Sequence, residues 1–149
     1  MADTADPPFR VLPALDDANR FFWTSGADGA LRLLRCRSCG YYLHPPLPRC
    51  PECGSRDLGP EAVSGSGEVH SVTVNHQSWD GGEVPYAIAI VTIPEQEGLR
   101  LTTNIVGCPP EEVAIGMPVR VVFEQHGEVW FPLFAAELPS VGGRSETAS

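Results

Sequence analysis

The sequence predicts a mainly β protein in which a short N-terminal helix and a four-cysteine ribbon precede a small closed barrel. Three observations lead to this fold class. Two Cys-x-x-Cys pairs lie close together before the middle of the chain, short runs with the period-two alternation of strands fill its second half, and no long stretch has helical periodicity.

Length and composition are those of a globular protein. The 149 residues suit one domain or two small ones, and 42% hydrophobic residues are enough to build a core. No apolar run is long enough for a membrane span and no basic-then-apolar signal segment opens the chain, so we expect a cytoplasmic protein without membrane contact. The formal net charge of −9 argues against general affinity for nucleic acid.

The N-terminal residues predict a short helix after a disordered start. Residues 1–10 are small, polar and proline-bearing, and we expect a disordered N-terminus over residues 1–12. Residues 13–30 are predicted to form a docking helix and a turn, with the helix itself over 13–24. Pro13 suits the first turn of this helix, because proline has no N–H group to leave unpaired there.

Three consecutive aromatic residues raise the question of what the helix packs against. Leu15, Ala18 and Phe22 fall on one face at helical spacing, whereas Phe21 and Trp23 lie on either side of it. One interpretation is a helix wedged between the ribbon and the barrel. The other is a helix that binds a partner protein through Phe21, Phe22 and Trp23.

The two cysteine pairs predict a metal-binding ribbon over residues 31–56. The four candidate ligands are Cys36, Cys39, Cys50 and Cys53. Glycine follows each pair and lets backbone N–H groups turn toward the sulfurs, so two facing turns give a tetrahedral, all-cysteine zinc site. Two disulfides or a redox pair are the alternatives, but redox motifs rarely come doubled. Because sulfur takes every position, we expect the zinc to be structural.

Residues around the cysteines receive structural interpretations. We expect Tyr41 and Tyr42 to cover the zinc site, and His44 to pack or lie at the surface, because four cysteines already complete the metal's coordination. Residues 57–66 resemble a linker in composition.

The remainder of the chain predicts a five-stranded barrel of the OB type over residues 67–138. The predicted strands are 67–79, 85–93, 99–106, 118–125 and 129–135. The second is apolar on both faces, which favours a central strand covered on both sides. Pro132 implies an edge or a bulge in the last strand. Residues 139–149 are predicted to be a disordered tail.

No catalytic set is visible in the sequence. His70 and His76 are interpreted as solvated or core-edge histidines, and Cys108 as a small buried residue, since no pattern places a base beside it. The glycine-rich loop that contains Trp79, Gly81 and Gly82 is a candidate substrate lid or a hairpin tip. We therefore expect no enzymatic activity from this chain on its own.

Several stretches together resemble the zinc-ribbon/OB-fold, acyl-CoA-associated family that was long labelled a domain of unknown function. The resemblance covers about residues 13–137. The stretches are Leu-Arg-Leu-Leu-Arg-Cys (31–36), Cys-Pro-Glu-Cys-Gly-Ser (50–55), Gly-Glu-Val (67–69), Pro-Tyr-Ala-Ile-Ala-Ile-Val (85–91), Asn-Ile-Val-Gly-Cys (104–108) and Ile-Gly-Met-Pro-Val (115–119).

This resemblance implies a rubredoxin-like zinc ribbon and a non-catalytic role. Members of the family are partner subunits of thiolase-superfamily enzymes, namely thiolases, acyltransferases and the thiolase-like aldolases that cleave steroid acyl-CoA side chains. It implies a hetero-oligomer, two plus two, in which the partner supplies catalysis and most of the CoA-thioester site. The steroid aldolase is the partner we expect, and a thiolase or acyltransferase is the alternative.

Two functions of other classes stay open at the level of sequence. Ribbons and OB barrels also bind single-stranded nucleic acid, although the strands here lack alternating basic and aromatic residues. A free-standing acyl-CoA carrier or hydrolase is the other alternative.

Overall fold

The computed structural model describes residues 10–78 and 84–137, and its helical part is shorter than predicted. Helix α1 spans only Arg20–Thr24, and a 3-10 turn, Ser25–Asp28, continues it. The reason lies in Asp16, whose carboxylate accepts the backbone N–H groups of Ala18 and Asn19 at 2.9 Å. This side chain offers the backbone an alternative to helical hydrogen bonds, so the prediction of a helix beginning at residue 13 is wrong.

The ribbon is a three-stranded antiparallel sheet in the order β2-β1-β3. Its strands are β1 (Arg32–Cys36), β2 (Tyr42–Leu43) and β3 (Leu58–Ala62). Strand β3 pairs along the whole of β1, from Cys36 opposite Leu58 to Arg32 opposite Ala62. The prediction of a linker over 57–66 is therefore wrong for these five residues, which complete the ribbon sheet.

The five strands predicted for the second half form a closed barrel of the OB type. They are β4 (Ser66–Asn75), β5 (Tyr86–Thr92), β6 (Arg100–Val106), β7 (Pro118–His126) and β8 (Val129–Ala136). The order around the barrel is β4-β5-β6-β8-β7, and β4 pairs with β7 to close it. Only the β6–β8 pairing is parallel. This closure confirms the predicted fold class.

Strand β5 shows how the barrel separates its two faces. Ala87, Ala89 and Val91 point inward and are no more than 1% exposed, whereas Tyr86 and Ile88 on the outer face are half-buried. The strand is central, as predicted, but its outer face is not fully covered by the described part of the chain.

Two local features shape the barrel. Strand β4 bends at a bulge between Val69 and Ser71, close to Gly67, where a Cβ atom would lie 2.3 Å from a methyl group of Val91. Pro132 lies in β8 before the two residues that pair with β6, so its missing N–H breaks no hydrogen bond to that strand. The Pro132 carbonyl oxygen accepts a hydrogen bond from the buried hydroxyl of Thr103 at 2.9 Å.

The base of the ribbon shares its hydrophobic core with the barrel. Leu31 and Leu33 are at most 1% exposed and belong to the same buried cluster as Val91 and Phe134. The side-chain amide of Gln96, before β6, accepts the Tyr42 N–H at 2.8 Å and donates to the Tyr42 carbonyl at 3.0 Å. One barrel side chain thus pairs with ribbon strand β2 as a neighbouring strand would.

Candidate functional site

The two cysteine turns have the same backbone geometry. Gly40 N–H donates to the Cys36 carbonyl, and Gly54 N–H donates to the Cys50 carbonyl, each at 2.9 Å. Both glycines have positive φ, +86° and +78°, a conformation that costs other residues free energy. Each turn folds back at its glycine, and the backbone N–H groups that face sulfur are those of Cys39, toward Cys36, and Glu52, toward Cys50, each at 3.4 Å.

All four sulfur atoms converge within 4.8 Å of one another. Cys36 and Cys53 are separated by 3.6 Å and Cys39 and Cys50 by 3.7 Å, sulfur to sulfur. A tetrahedral zinc with bonds of about 2.3 Å separates its sulfurs by about 3.8 Å, whereas a disulfide needs about 2.0 Å. The four cysteines are free and lie close enough together to bind one zinc ion, so this geometry fits a metal site and not two disulfides.

Hydrogen bonds prepare the site for a cation. The backbone N–H of Cys39 donates to Cys36 Sγ at 3.4 Å and is the first of several donors that lower the pKa of the Cys36 thiol to about 6. Without metal, the backbone donors at Cys39 and Cys53 are outweighed by burial and by hydrogen bonds among the thiols, which raise the pKa of both, so one thiol ionises ahead of its neighbours. The thiolate is the form that binds metal. Because sulfur fills every coordination position, zinc here holds the two turns together and offers no place for substrate.

The residues around the metal site divide between two clusters. Tyr41 packs beside Cys36 and Cys50, as predicted. Tyr42 instead belongs to the main core, with the Arg35 guanidinium 4.5 Å from its ring centroid, so the prediction that it covers zinc is wrong. His44 packs on Phe22, with 5.0 Å between the two ring centroids. Burial lowers the pKa of His44 to about 4.

Helix α1 lies between the ribbon and the barrel, as the first interpretation of its aromatic residues expected. Phe22 is 6% exposed and belongs to the core, a position that does not fit a partner contact. Trp23 meets Phe22 edge to face at 4.9 Å and Phe131 of β8 at 5.5 Å. Phe21 and Trp23 are half-buried and keep exposed surface. Their role as partner contacts stays a prediction.

Two open grooves lie on two faces of α1, one beside each of these half-buried aromatics. The Trp23 groove, about 450 Å³, is bounded by Trp23, residues 44–46 and residues 100–102 at the start of β6. The Phe21 groove, about 430 Å³, is bounded by Phe21, residues 46–48 and residues 58–60 of β3. Both grooves exist because α1 is wedged at the junction of ribbon and barrel.

Arg10 holds the segment before α1 onto the outside of the barrel. Its guanidinium binds the Glu124 carboxylate, donates to Asn104 Oδ1 at 3.1 Å and lies 5.4 Å from the centroid of the Phe131 ring. His126 completes the cluster at 2.9 Å from Glu124. Burial opposes ionisation of Glu124, but hydrogen bonds from Arg10 and His126 outweigh it and lower the pKa of Glu124. No local sequence pattern predicts these contacts, because Arg10 and Glu124 lie in distant parts of the chain.

Two family models match consecutive parts of this sequence. The ChsH2 rubredoxin-like zinc ribbon domain matches residues 23–59, and the ChsH2 C-terminal OB-fold domain matches residues 60–124. The chain belongs to the ChsH2 family. This agrees with the family resemblance of the sequence and with the ribbon and barrel described above.

Two of the curated relatives are much longer proteins. A probable enoyl-CoA hydratase alpha subunit of Thermomonospora curvata is 36% identical over 132 residues, which are 87% of this chain and 41% of the relative. A 3-oxo-4,17-pregnadiene-20-carboxyl-CoA hydratase alpha subunit of Mycobacterium tuberculosis is 34% identical, over 81% of this chain and 38% of the relative. The chain spans about two fifths of the length of each.

A solved structure of the ChsH2 family matches over its full length. It is a chain of the Ltp2-ChsH2(DUF35) aldolase, with a TM-score of 0.77 and 36% identity. The match covers 85% of this chain and 100% of that chain. Ribbon and barrel are therefore arranged alike in the two proteins.

The other residues singled out in the sequence show no shared site in this ChsH2-family chain. His70 and His76 are exposed, as predicted. Cys108 is half-buried against the core, and within 10–78 and 84–137 no hydrogen bond reaches its sulfur. The candidate lid residues Trp79, Gly81 and Gly82 lie outside the described residues. In the described part of the chain, no helix has the length and apolar character that a membrane crossing requires.

Proposed function

We propose that this chain is a non-catalytic subunit of a thiolase-superfamily enzyme that acts on acyl-CoA thioesters, and that this enzyme is a thiolase-like retro-aldolase of steroid side-chain degradation. The chain stabilises the enzyme and helps to shape its CoA-substrate site. The observation that carries the proposal is the full-length match, at 36% identity, to the ChsH2 chain of the Ltp2-ChsH2(DUF35) aldolase. The pregnadiene-carboxyl-CoA hydratase relative supports a steroid acyl-CoA substrate.

The side chains described in this structure support a non-catalytic role. Retro-aldol cleavage needs a base that takes the proton of a β-hydroxyl group while the Cα–Cβ bond breaks. In the described part of the chain no hydrogen bond joins the Cys108 sulfur to a base, and the other four cysteines cluster as metal ligands. The catalytic groups are therefore assigned to the partner enzyme.

The Phe21 groove is the surface we assign to the partner. Its walls are mostly apolar, with Phe21, Leu34 and Leu58 beside Leu47, which is 47% exposed. Asp17 is the one charged residue among those that line it in the described structure. Apolar, charge-poor patches of this kind form the centres of stable interfaces.

The test is co-expression with a thiolase-like aldolase and assay of the purified complex. We expect both chains to elute together with a mass of two copies of each, and to cleave a β-hydroxyacyl-CoA steroid that this chain alone leaves intact. Cys108→Ala should keep cleavage within a few-fold of wild type. Failure to co-elute, or cleavage by the isolated chain, would overturn the proposal.

Leu47→Glu tests the assigned surface. A carboxylate at this exposed position should weaken association at least about tenfold, because it must be desolvated in the interface, while the chain keeps its melting temperature. Ile115→Glu is the matched control, since Ile115 is 71% exposed and lies outside the groove. Equal loss of association in both variants would place the interface elsewhere.

A second candidate function is an accessory part of an enoyl-CoA hydratase assembly. It is favoured by the names of the two longer relatives, which are hydratase alpha subunits. Assaying the same complex with an α,β-unsaturated acyl-CoA distinguishes the two functions, because only a hydratase adds water to the double bond.

A further inference from the structure

The Trp23 groove differs from the Phe21 groove because it is lined by a positively charged side chain that forms no ion pair in the described part of the chain. Arg100 lines the Trp23 groove at the first residue of β6 and is exposed to solvent. Within residues 10–78 and 84–137, its guanidinium has no carboxylate within ion-pair distance and donates no hydrogen bond to the chain. Arg10, Arg32 and Arg120, by contrast, each contact a carboxylate.

The other polar residues of the Trp23 groove do not neutralise this charge. No carboxylate is found among the described residues that line it. The Asn19 amide is already engaged, because it accepts the Asp16 N–H at 2.9 Å and donates to the Ala14 carbonyl at 3.1 Å. The Thr102 hydroxyl lies two residues from Arg100 on the same outer face of β6, where it can add a hydrogen bond to a group held by the guanidinium.

The opposite wall of the groove is apolar and already ordered. Trp23 is held edge-on by Phe22 and Phe131, and His44 packs on Phe22. Gly26, just after α1, lies so close to the barrel that a Cβ atom there would be 2.4 Å from the Phe123 ring, which fixes the end of the helix. A site whose walls are fixed in advance binds without the entropy cost of ordering them.

Volume and position are those of a small-molecule site. The groove of about 450 Å³ falls within the range of roughly 300–1,000 Å³ that is usual for ligand pockets. It lies where α1, the ribbon and the barrel meet, and such junctions are common places for ligands.

We propose that the Trp23 groove binds a small amphipathic anion, with a rigid apolar body against Trp23 and the proline residues 45–46 and with its carboxylate or phosphate on Arg100. This inference assigns a ligand to the chain itself and does not depend on the partner enzyme. If no ligand binds, the proposed subunit function is unaffected, because ligand binding is measured on the isolated chain and the subunit function on the purified complex.

The test uses the zinc-loaded full chain and three probes in calorimetric titrations. Cholate carries a rigid apolar skeleton and one carboxylate, cholamide carries the same skeleton without charge, and coenzyme A carries phosphates without that skeleton. We expect cholate to bind at one site below its micellar concentration and about tenfold more tightly than cholamide, as expected for a charge-assisted hydrogen bond. Competition by coenzyme A would identify phosphate as the natural anion, and its absence would identify carboxylate.

Arg100→Gln should remove the difference between cholate and cholamide while the chain keeps its melting temperature. Arg56→Gln is the matched control, because Arg56 is also exposed and unpaired in the described structure but does not line the groove. The proposal is wrong if cholate does not bind, if cholamide binds equally well, or if Arg56→Gln has the same effect as Arg100→Gln.

Discussion

The two ends of the zinc ribbon are held in place by different forces. At the cysteine end, the buried side chains are only Cys36, Leu43 and Cys50, too few to form a stable core. At the other end, Leu31 and Leu33 are buried in the core of the barrel. From this contrast we expect the cysteine end of the ribbon to need zinc and the other end not to need it, although both belong to one three-stranded sheet.

Removal of zinc should produce the largest difference in stability between the two ends of the ribbon. With Cys39→Ser, or after chelation, we expect complete loss of order in the cysteine turns, because metal binding supplies their folding free energy. The barrel and the 31–34 segment should keep slow amide exchange, since their burial does not involve the metal. Hydrogen exchange followed by mass spectrometry measures this difference.

Two results would contradict this expectation. Retention of structure in the metal-free turns would mean that their own packing suffices. A single cooperative loss of all exchange protection would mean that ribbon and barrel are one folding unit throughout.

The converse experiment disrupts the base of the ribbon. Leu33 is 0% exposed, so Leu33→Ala should lower the free energy of unfolding by about 3 kcal/mol through lost burial and a cavity. Denaturant unfolding should show the loss in barrel signals as well as ribbon signals. Leu47→Ala is the control, because Leu47 is 47% exposed and should change stability little. If only the ribbon signals lose stability, the ribbon and the barrel have separate cores and not one shared core.

A pH titration tests the region between the two ends, where His44 packs on Phe22. The pKa of His44 is lowered to about 4 in the folded chain, below the ordinary value of 6.5, so the unfolded chain takes up the proton first. Stability is therefore complete above about pH 6.5 and falls by up to about 3 kcal/mol as the pH drops to about 4. His44→Gln should remove this part of the pH dependence. Parallel stability curves for the two proteins would show that His44 is not the group responsible.

The hydrogen bonds between Gln96 and Tyr42 provide the finest test of the ribbon's base. Gln96→Leu leaves a part-buried N–H and carbonyl without partners and should cost about 1–2 kcal/mol. Gln125→Leu replaces an exposed glutamine and should cost little. Amide exchange at Leu43 should accelerate in the first variant alone. If it does not, strand β2 is positioned by β1 without help from the barrel.

The features predicted correctly from sequence are those encoded in neighbouring residues. The zinc ligands follow from the spacing of two cysteine pairs, and the barrel strands follow from alternation of apolar side chains. The sequence pattern does not predict strand β3, because Gly59 and Pro60 interrupt its alternation and the strand is specified by its pairing with β1. The sequence pattern extends helix α1 too far toward the N-terminus, because it does not show that the Asp16 carboxylate takes the N–H groups of Ala18 and Asn19.

The contacts that position the candidate sites could not be predicted in this way. Arg10 meets Glu124, and Gln96 meets Tyr42, across more than fifty intervening residues. Such pairs become apparent only when the barrel is closed. The burial of Phe22 between two parts of the fold has the same origin, since helical periodicity describes one face and cannot show what covers the others.

The hydrogen bonds between Gln96 and Tyr42 also tie the ribbon to a residue that is synthesised later. The cysteine turns lie within residues 36–55, so they leave the ribosome well before Gln96, the residue whose side chain pairs with β2. The Trp23 groove needs residues 100–102, which line it, and closure of the barrel needs β8, which pairs with β6. We therefore expect the metal ligands to be available before the Trp23 groove can form, so that a chain shortened before residue 100 should bind zinc but lack this groove.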